Sequence, residues 1–288
     1  MTTTSSLRQR RSVLVGLVGA GLQASRTPRL HEREGAEHGL TYIYKVIDLD
    51  ALGLTVGALP EIMTAAERLV FDGLNITYPC KRAVLELLDE LSSDARAIGA
   101  VNTVIFKNSR RFGHNTDWSG FAESFRRSLP DVSRDRIVQL GAGGAGAAVA
   151  HALLTLGAGE LSIVDTERQR AASLAEALRA RYGAERARAI EDVRTAISGA
   201  DGVVNATPVG MDKFPGLPVQ PSLLRPRHWV ADVVYFPLET ELLREAKVRG
   251  CRTMSGAGMA VFQAAEAFRL FSGEEPNQER MLLHFENM

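Results

Sequence analysis

The sequence predicts an α/β protein built from two domains, and three observations carry that expectation. Up to about residue 120, short apolar runs alternate with helical stretches, the pattern of a mostly parallel sheet with helices on its faces. From Arg136 to Asp165 the chain reads RIVQLGAGGAGAAVAHALLTLGAGELSIVD: a strand, a Gly-rich turn, a helix, a second strand and a terminal acid. At 288 residues the chain is long enough for two cores.

Residues 1–12 are expected to form a mobile tail. Arg8, Arg10 and Arg11 ahead of the apolar run at 13–19 imitate a secretory leader. The run is short and β-branched and lacks a small-x-small cleavage site, so it is read as the first buried strand. Further strands are expected at Thr41–Ile47, Gly73–Thr77 and Ala100–Phe106, and helices at Pro28–Gly39, Leu59–Val70 and Arg82–Leu91. Phe121, Phe125 and Leu129 mark an amphipathic connecting helix ending at Pro130. Strands near 137–140, 161–164, 202–205 and 229–234 make the second sheet. Ser255–Gly258 reads as a Gly-rich hinge, after which helices Met259–Phe271 and Gln278–Phe285 return to the first domain. The expected division is therefore 13–120 for a substrate-binding and catalytic domain, joined by 259–288, and 121–258 for a nucleotide domain.

Gly141, Gly143 and Gly146 occupy the positions of a G-x-G-x-x-G fingerprint. The first permits a tight turn, the second lets backbone approach a pyrophosphate, and the third lets the helix sit close to the sheet. Gly144 and Ala145 open that helix, whose free N–H groups and partial positive charge favour phosphate. Asp165 follows Gly146 by 19 residues, where a carboxylate can grip ribose hydroxyls. Set between two strands, this is a Rossmann-type dinucleotide site rather than a purely structural turn.

The bulk numbers exclude other classes. Lys+Arg and Asp+Glu both total 34, so no net field points to nucleic acid or a membrane surface. Two cysteines, Cys80 and Cys251, fit a reduced, cytoplasmic compartment and give no metal spacing. The six histidines form no H-x-x-x-H or H-x-H pair, so no metal is expected.

Four polar clusters fall at the ends of predicted strands, where open parallel sheets hold ligands. They are Ser25–His31, Asn75–Lys81, Gly99–Thr103 and Gly113–Gly120. Their hydroxyls and amides suit a small polyol, because a site built to bond an OH rejects the analogue lacking it. Lys81 and Asp117 are the acid–base candidates. Each feature also has a plainer reading. Lys81 alone would be a solvated lysine, Asp117 a helix cap, Ser25 and Thr27 caps of the helix near Pro28, and His31 a packed or surface histidine.

Taken in order, these clusters resemble the shikimate dehydrogenase family. Ser25-Arg-Thr-Pro-Arg-Leu-His-Glu32 is similar to its S-x-S-P-x-x-H-N element, and Asn75-Ile-Thr-Tyr-Pro-Cys-Lys81 to N-V-T-x-P-x-K. G-A-V-N-T stands at 99–103, G-x-N-T-D-x-x-G at 113–120 and N-A-T-P-x-G-M at 205–211. Asp232–Pro237 and Gly256–Gln263 match the late elements, so the resemblance runs from about Val13 to Gly273.

The resemblance implies a role for each matching residue. Lys81 and Asp117 would be the catalytic pair. Ser25 and Thr27 would bind the substrate carboxylate, with Tyr235 reaching toward it. Asn75, Thr77, Asn102 and Gln263 would bind ring hydroxyls. Asn205, Ala206, Thr207, Met211, Val233, Gly256 and Met259 would line the nicotinamide. The reaction would be reversible hydride transfer between NAD(P) and a ring carbon bearing a secondary alcohol, in a monomer or homodimer.

Two departures refine this. Biosynthetic members place Asn-Arg-Thr after the second nucleotide strand to hold the 2′-phosphate of NADP, whereas here the strand ends Val164-Asp-Thr-Glu-Arg168. Asp165 would repel that phosphate, so NAD is expected, with weaker use of NADP. Arg168 and Arg170 are the competing signal, one of them expected on the adenine. Thr27 stands where the second Ser is usual, the variant that in this family looks like acceptance of quinate as well as shikimate. Glu32 replaces the usual Asn without a physical account. The rival readings are an NADP-dependent biosynthetic shikimate dehydrogenase, a non-catalytic sensor of the same fold, and another two-domain oxidoreductase.

Overall fold

A computed structural model describes residues 11–288. The expected tail at 1–12 lies outside the described residues as far as residue 10, and Ser12 already belongs to the first strand. The first sheet contains β1 (Ser12–Gly19), β2 (Thr41–Asp48), β3 (Gly73–Ile76), β4 (Glu90–Leu91), β5 (Thr103–Lys107) and β6 (Arg110–His114). Around it lie α1 (Thr27–Glu37), α2 (Leu49–Leu52), α3 (Leu59–Arg68) and α4 (Ser93–Ile98). Its strand order is β2-β1-β3-β5-β6-β4. The continuous apolar run of β1 is explained by its place: it pairs in parallel with β2 on one side and β3 on the other, and is covered on both faces.

The first sheet is more mixed than the sequence predicts. β5 runs antiparallel to both β3 and β6. The β5–β6 hairpin turns on Asn108 and Ser109, with φ of 53° and 56°. Two residues in the left-handed region match the strand twist, but Asn-Ser is a weak signal for such a turn, so β6 was not expected. The expected helix Arg82–Leu91 is also corrected. It is a 3-10 turn at Ala83–Leu87 followed by β4, because Val84, Leu85, Leu87, Leu88 and Leu91 all pack into one core and flatten the segment onto the sheet edge.

α5 (Asp117–Ser128) leads to the second sheet. There follow β7 (Arg136–Leu140), α6 (Gly144–Thr155), β8 (Glu160–Val164), α7 (Arg168–Tyr182), β9 (Ala187–Ala189) and α8 (Val193–Ser198). Then come β10 (Gly202–Asn205), β11 (Trp229–Asp232), α9 (Glu241–Val248) and β12 (Arg252–Met254). All pairings are parallel, in the order β12-β11-β10-β7-β8-β9. The order reverses between β7 and β10, the switch point where such sheets bind dinucleotides.

α10 (Gly256–Ser272) and α11 (Gln278–Glu286) close the chain. Phe268 and Phe271 of α10 pack with Val13, Val15, Tyr42 and Tyr44 of the first sheet, and Met281 and Phe285 of α11 share a core with Leu30 of α1. Ser255–Gly258, expected as a hinge, forms the cap and first turn of α10. A side chain at Gly258 would collide with Ser124 Oγ, and one at Gly120 would lie 2.6 Å from the Gln263 nitrogen. These glycines allow close packing of α5 on α10. Among the described residues, no helix is long and apolar enough to cross a membrane.

Candidate active site

Lys81 follows β3 by five residues, and Asp117 begins α5 immediately after β6. β5 lies between β3 and β6, so both residues reach the same edge of the sheet. Lys81 Nζ donates to Asp117 Oδ2 at 2.5 Å, with both side chains largely buried. The other Asp117 oxygen accepts from Asn102 Nδ2 at 2.9 Å. Asp117 is therefore no helix cap: its carboxylate is spent on the lysine and the amide. It also places negative charge in the first helical turn, where the helix dipole favours it.

Asn102 joins the pair to its surroundings. Its Oδ1 accepts the Thr116 N–H at 2.7 Å, and its Nδ2 also donates to Thr116 Oγ1 at 2.9 Å and Gln263 Oε1 at 3.4 Å. Gln263 comes from α10, so that helix completes the site. Asn75 behaves differently. Its amide donates to Asn102 O and Thr103 Oγ1 at 3.1 and 3.0 Å, while its Oδ1 accepts from Tyr44 Oη at 2.7 Å. Both amide hydrogens are committed within the protein, leaving one carbonyl lone pair for any substrate hydroxyl. Thr77 lies at the end of β3 with its methyl packed on Gly19.

Ser25 and Thr27 flank Arg26, the N-cap of α1, whose own side chain makes no capping bond. Ser25 Oγ accepts the Thr27 N–H at 3.4 Å. His31 is wholly buried between Tyr42 and Tyr44, its Nδ1 bonded to Tyr42 Oη at 3.1 Å. Burial pushes its imidazole down to about 3, so it is a neutral packing residue. Glu32, unexplained by sequence, accepts the Tyr44 N–H at 3.1 Å and so supports the strand that carries Tyr44.

The second domain faces this edge with its Gly-rich turn. Gly141 has φ of 98°, and a side chain there would lie 2.7 Å from Ala206 O. One at Gly146 would strike Gly141 O, so the helix could not approach β7. At Gly143 a side chain would meet nothing, leaving the open space a pyrophosphate needs. Gly144 and Ala145 open α6, and a Cβ on Gly144 would lie 3.5 Å from Lys81 Cδ. The turn and the ion pair are thus neighbours. Asp165 Oδ2 accepts the Ala142 N–H at 2.7 Å and Oδ1 the Glu167 N–H at 2.9 Å. Arg168 pairs with Glu191 and Arg170 with Glu167, each at 2.7 Å, so neither is poised on a phosphate. These residues fit a bound dinucleotide without a 2′-phosphate.

The remaining predicted residues lie at the end of β10, after β11 and at the start of α10. Asn205, fully buried, donates to Val209 O and to Asp232 Oδ1, each at 2.9 Å, and accepts from Thr207 Oγ1 at 2.6 Å. Val233 N–H donates to Asn205 O, and Gly256 N–H to Val234 O. Met259 is buried against α5, whereas Met211 is 38% exposed. Tyr235 is 37% exposed and packs edge-on against Phe285 of α11. The surrounding protein raises its phenol pKa, the Asp117 charge adds to that rise, and Arg26 opposes it.

Sequence reasoning missed several supports. Tyr44 gives no motif signal, because its role depends on β2 lying in the same sheet as β3. Asp232 stood in a quoted motif without a role. Burial raises its carboxyl to about 6 against the pull of its bonds from Thr240 Oγ1, the Val234 N–H and Asn205. It ties β11 to the 205–209 loop and to the cap of α9.

Comparison with known proteins agrees with this arrangement. Residues 17–104 match the shikimate dehydrogenase substrate binding domain, 123–210 the shikimate / quinate 5-dehydrogenase model, and 256–282 the shikimate 5'-dehydrogenase C-terminal domain. A shikimate dehydrogenase (NADP(+)) of Streptomyces avermitilis is 56% identical over 94% of each chain. A quinate/shikimate dehydrogenase (NAD(+)) of Corynebacterium efficiens is 48% identical over 95% of this chain and 98% of its own. The solved quinate dehydrogenase from Corynebacterium glutamicum in complex with NAD superposes with a TM-score of 0.91 at 46% identity, over 97% of this chain and all of that one. With these matches spanning both sheets and the closing helices, the chain belongs to the shikimate dehydrogenase family.

Proposed function

We propose that the protein is an NAD-dependent quinate/shikimate dehydrogenase, reversibly oxidising quinate to 3-dehydroquinate and/or shikimate to 3-dehydroshikimate. The observation that carries this reading is the Lys81–Asp117 contact of 2.5 Å set against the Gly-rich turn. Residues 13–120, with 259–288, act as the substrate-binding part and 121–258 as the nucleotide part. Bound NAD would supply the hydride acceptor, held by Gly141–Gly146, Asp165, the 205–211 loop and the start of α10. Lys81, in its neutral amine form, takes the proton of the reacting hydroxyl. Asp117 holds the lysine and, through Asn102, fixes its height above the sheet. Ser25, Thr27 and Tyr235 receive the carboxylate, while Thr77, Asn102 and Gln263 sort the ring hydroxyls. Orientation of this kind accounts for ~7–11 kcal/mol of a barrier when reactants are well aligned.

The NADP-dependent reading is favoured by the Streptomyces relative, a shikimate dehydrogenase (NADP(+)). Asp165 weighs against it here, since its carboxylate borders the turn and the nearby arginines are paired with glutamates. A cytoplasmic monomer or homodimer completes the proposal; both cysteines are buried free thiols. The test is a matrix of initial rates, quinate and shikimate against NAD and NADP. Turnover of either acid, faster with NAD, is expected. Turnover only with NADP overturns the cofactor reading, and no turnover with any pair overturns the activity.

A further inference from the structure

Arg26 has no part in the scheme above, and its guanidinium is held by two aromatic rings rather than by an acid. Arg111, Arg127 and Arg280 each meet a carboxylate. Among the described residues, Arg26 meets none. Its guanidinium lies 5.3 Å from the Phe285 ring centroid and 5.8 Å from that of Phe236, and Nη1 donates to Phe285 O at 3.2 Å. Aromatic faces and one carbonyl hold the cation in place without neutralising it, and most of its five N–H donors stay uncommitted. Its place is equally specific. The residue stands between Ser25 and Thr27. Phe285, which it covers, packs edge-on against Tyr235 with ring centroids 6.0 Å apart. The site carboxylate of Asp117 is already paired with Lys81.

We propose that Arg26 is a specificity residue that supplies the uncompensated positive charge selecting a carboxylate-bearing substrate at the Ser25–Thr27 end of the cleft. This rests on the substrate reading proposed above and adds a charge to a subsite otherwise made of hydroxyls. It also explains the mounting. α11 and the 235–237 loop belong to different parts of the fold, and the guanidinium touches both, so it keeps one position whichever substrate enters. A lysine would keep the charge but lose the planar stacking and much of the fixed direction.

The test compares an acid with its neutral ester. Wild type, Arg26→Met and Arg26→Lys are measured with shikimate and with methyl shikimate, by initial rates with NAD and by calorimetric titration at low and high salt. Arg26→Met retains an apolar stem for the two phenylalanines, and thermal melting of each variant checks that α11 stays docked. The expected result is a fall of about tenfold in the acid-to-ester ratio of kcat/KM for Arg26→Met, carried by KM, as for loss of a charged contact. Arg26→Lys should recover part of it, and the salt dependence of acid binding should flatten in Arg26→Met. Equal loss for acid and ester would make Arg26 a packing residue only and overturn the proposal, as would an unchanged ratio. Binding is read separately from turnover. A wild type that binds the acid in preference to the ester but transfers no hydride would sink the proposed activity and leave the charge selection standing; one that binds neither sinks both.

Discussion

Asp165 is the residue proposed to choose between the two cofactors, and its geometry sets the scale of the expected effect. The carboxylate ends β8 and is fixed by the N–H groups of Ala142 and Glu167 at 2.7 and 2.9 Å, so it cannot swing away from an incoming ribose. A 2′-phosphate about 5 Å away, at an effective dielectric of about 20, would meet a repulsion of about 3 kcal/mol per unit of phosphate charge. Salt in a half-open site reduces this to roughly 1–2 kcal/mol, or roughly 5- to 30-fold. Asp165→Asn removes the charge and keeps one acceptor. It also weakens one of the two backbone bonds, which loosens the turn for both cofactors. The informative quantity is therefore the ratio of kcat/KM with NADP to that with NAD, from initial rates at fixed substrate. We expect that ratio to rise by about tenfold. The wild-type preference should shrink with added salt. A ratio that stays within about twofold of wild type would refute the electrostatic argument. It would move the discrimination to Arg168 and Arg170 once they leave Glu191 and Glu167.

Three further outcomes follow from the same geometry. Lys81→Ala should lower kcat by about 100-fold or more, with a smaller change in KM, and single-turnover rates surviving within about tenfold would remove Lys81 as the proton carrier. Asp232 has its pKa raised from 3.8 to about 6. The folded state therefore holds a proton that the unfolded chain has released, and stability falls as pH rises from about 4 through 6, by an order of 3 kcal/mol in full. Asp232→Asn, neutral at every pH, should flatten that decline, and a melting-temperature difference from wild type that does not vary between pH 4 and 8 would contradict it. His31 has the opposite sign. Its pKa is lowered from 6.5 to about 3, so the unfolded chain binds the extra proton and stability falls as pH drops below 6.5, by about 1.4 kcal/mol per pH unit until about 3. His31→Phe keeps a ring against Tyr44 and should show a shallower acid limb in denaturant titrations, whereas an unchanged slope would mean that His31 is not the neutral group.

Much of the molecule is legible in the chain because its signals are local. The strand–turn–helix of 136–155, the buried β1 and the acid at 165 each declare themselves within a few residues. The hairpin at Asn108–Ser109 and the flattened 83–91 segment escape that kind of reading. In the first, two ordinary polar residues adopt the left-handed conformation because the strands on either side demand it. In the second, core burial on several sides overrides a helical spacing of apolar residues. The glycines of α10 carry a second role the sequence does not show: only the approach of α5 reveals that they make room.

The sequence by itself determined the class of fold, the dinucleotide turn and the residue types that gather at the strand ends. Periodicity, glycine spacing and charge are written along the chain. Only the tertiary structure decided which groups meet. Lys81 and Asp117 are 36 residues apart and become a 2.5 Å pair because β5 lies between β3 and β6. Tyr44 reaches Asn75 across the sheet, and an arginine near the start of the chain rests on a phenylalanine of the last helix. Contacts of that kind depend on strand order and helix docking, which are set by burial summed over the whole core, and no window of sequence contains that sum.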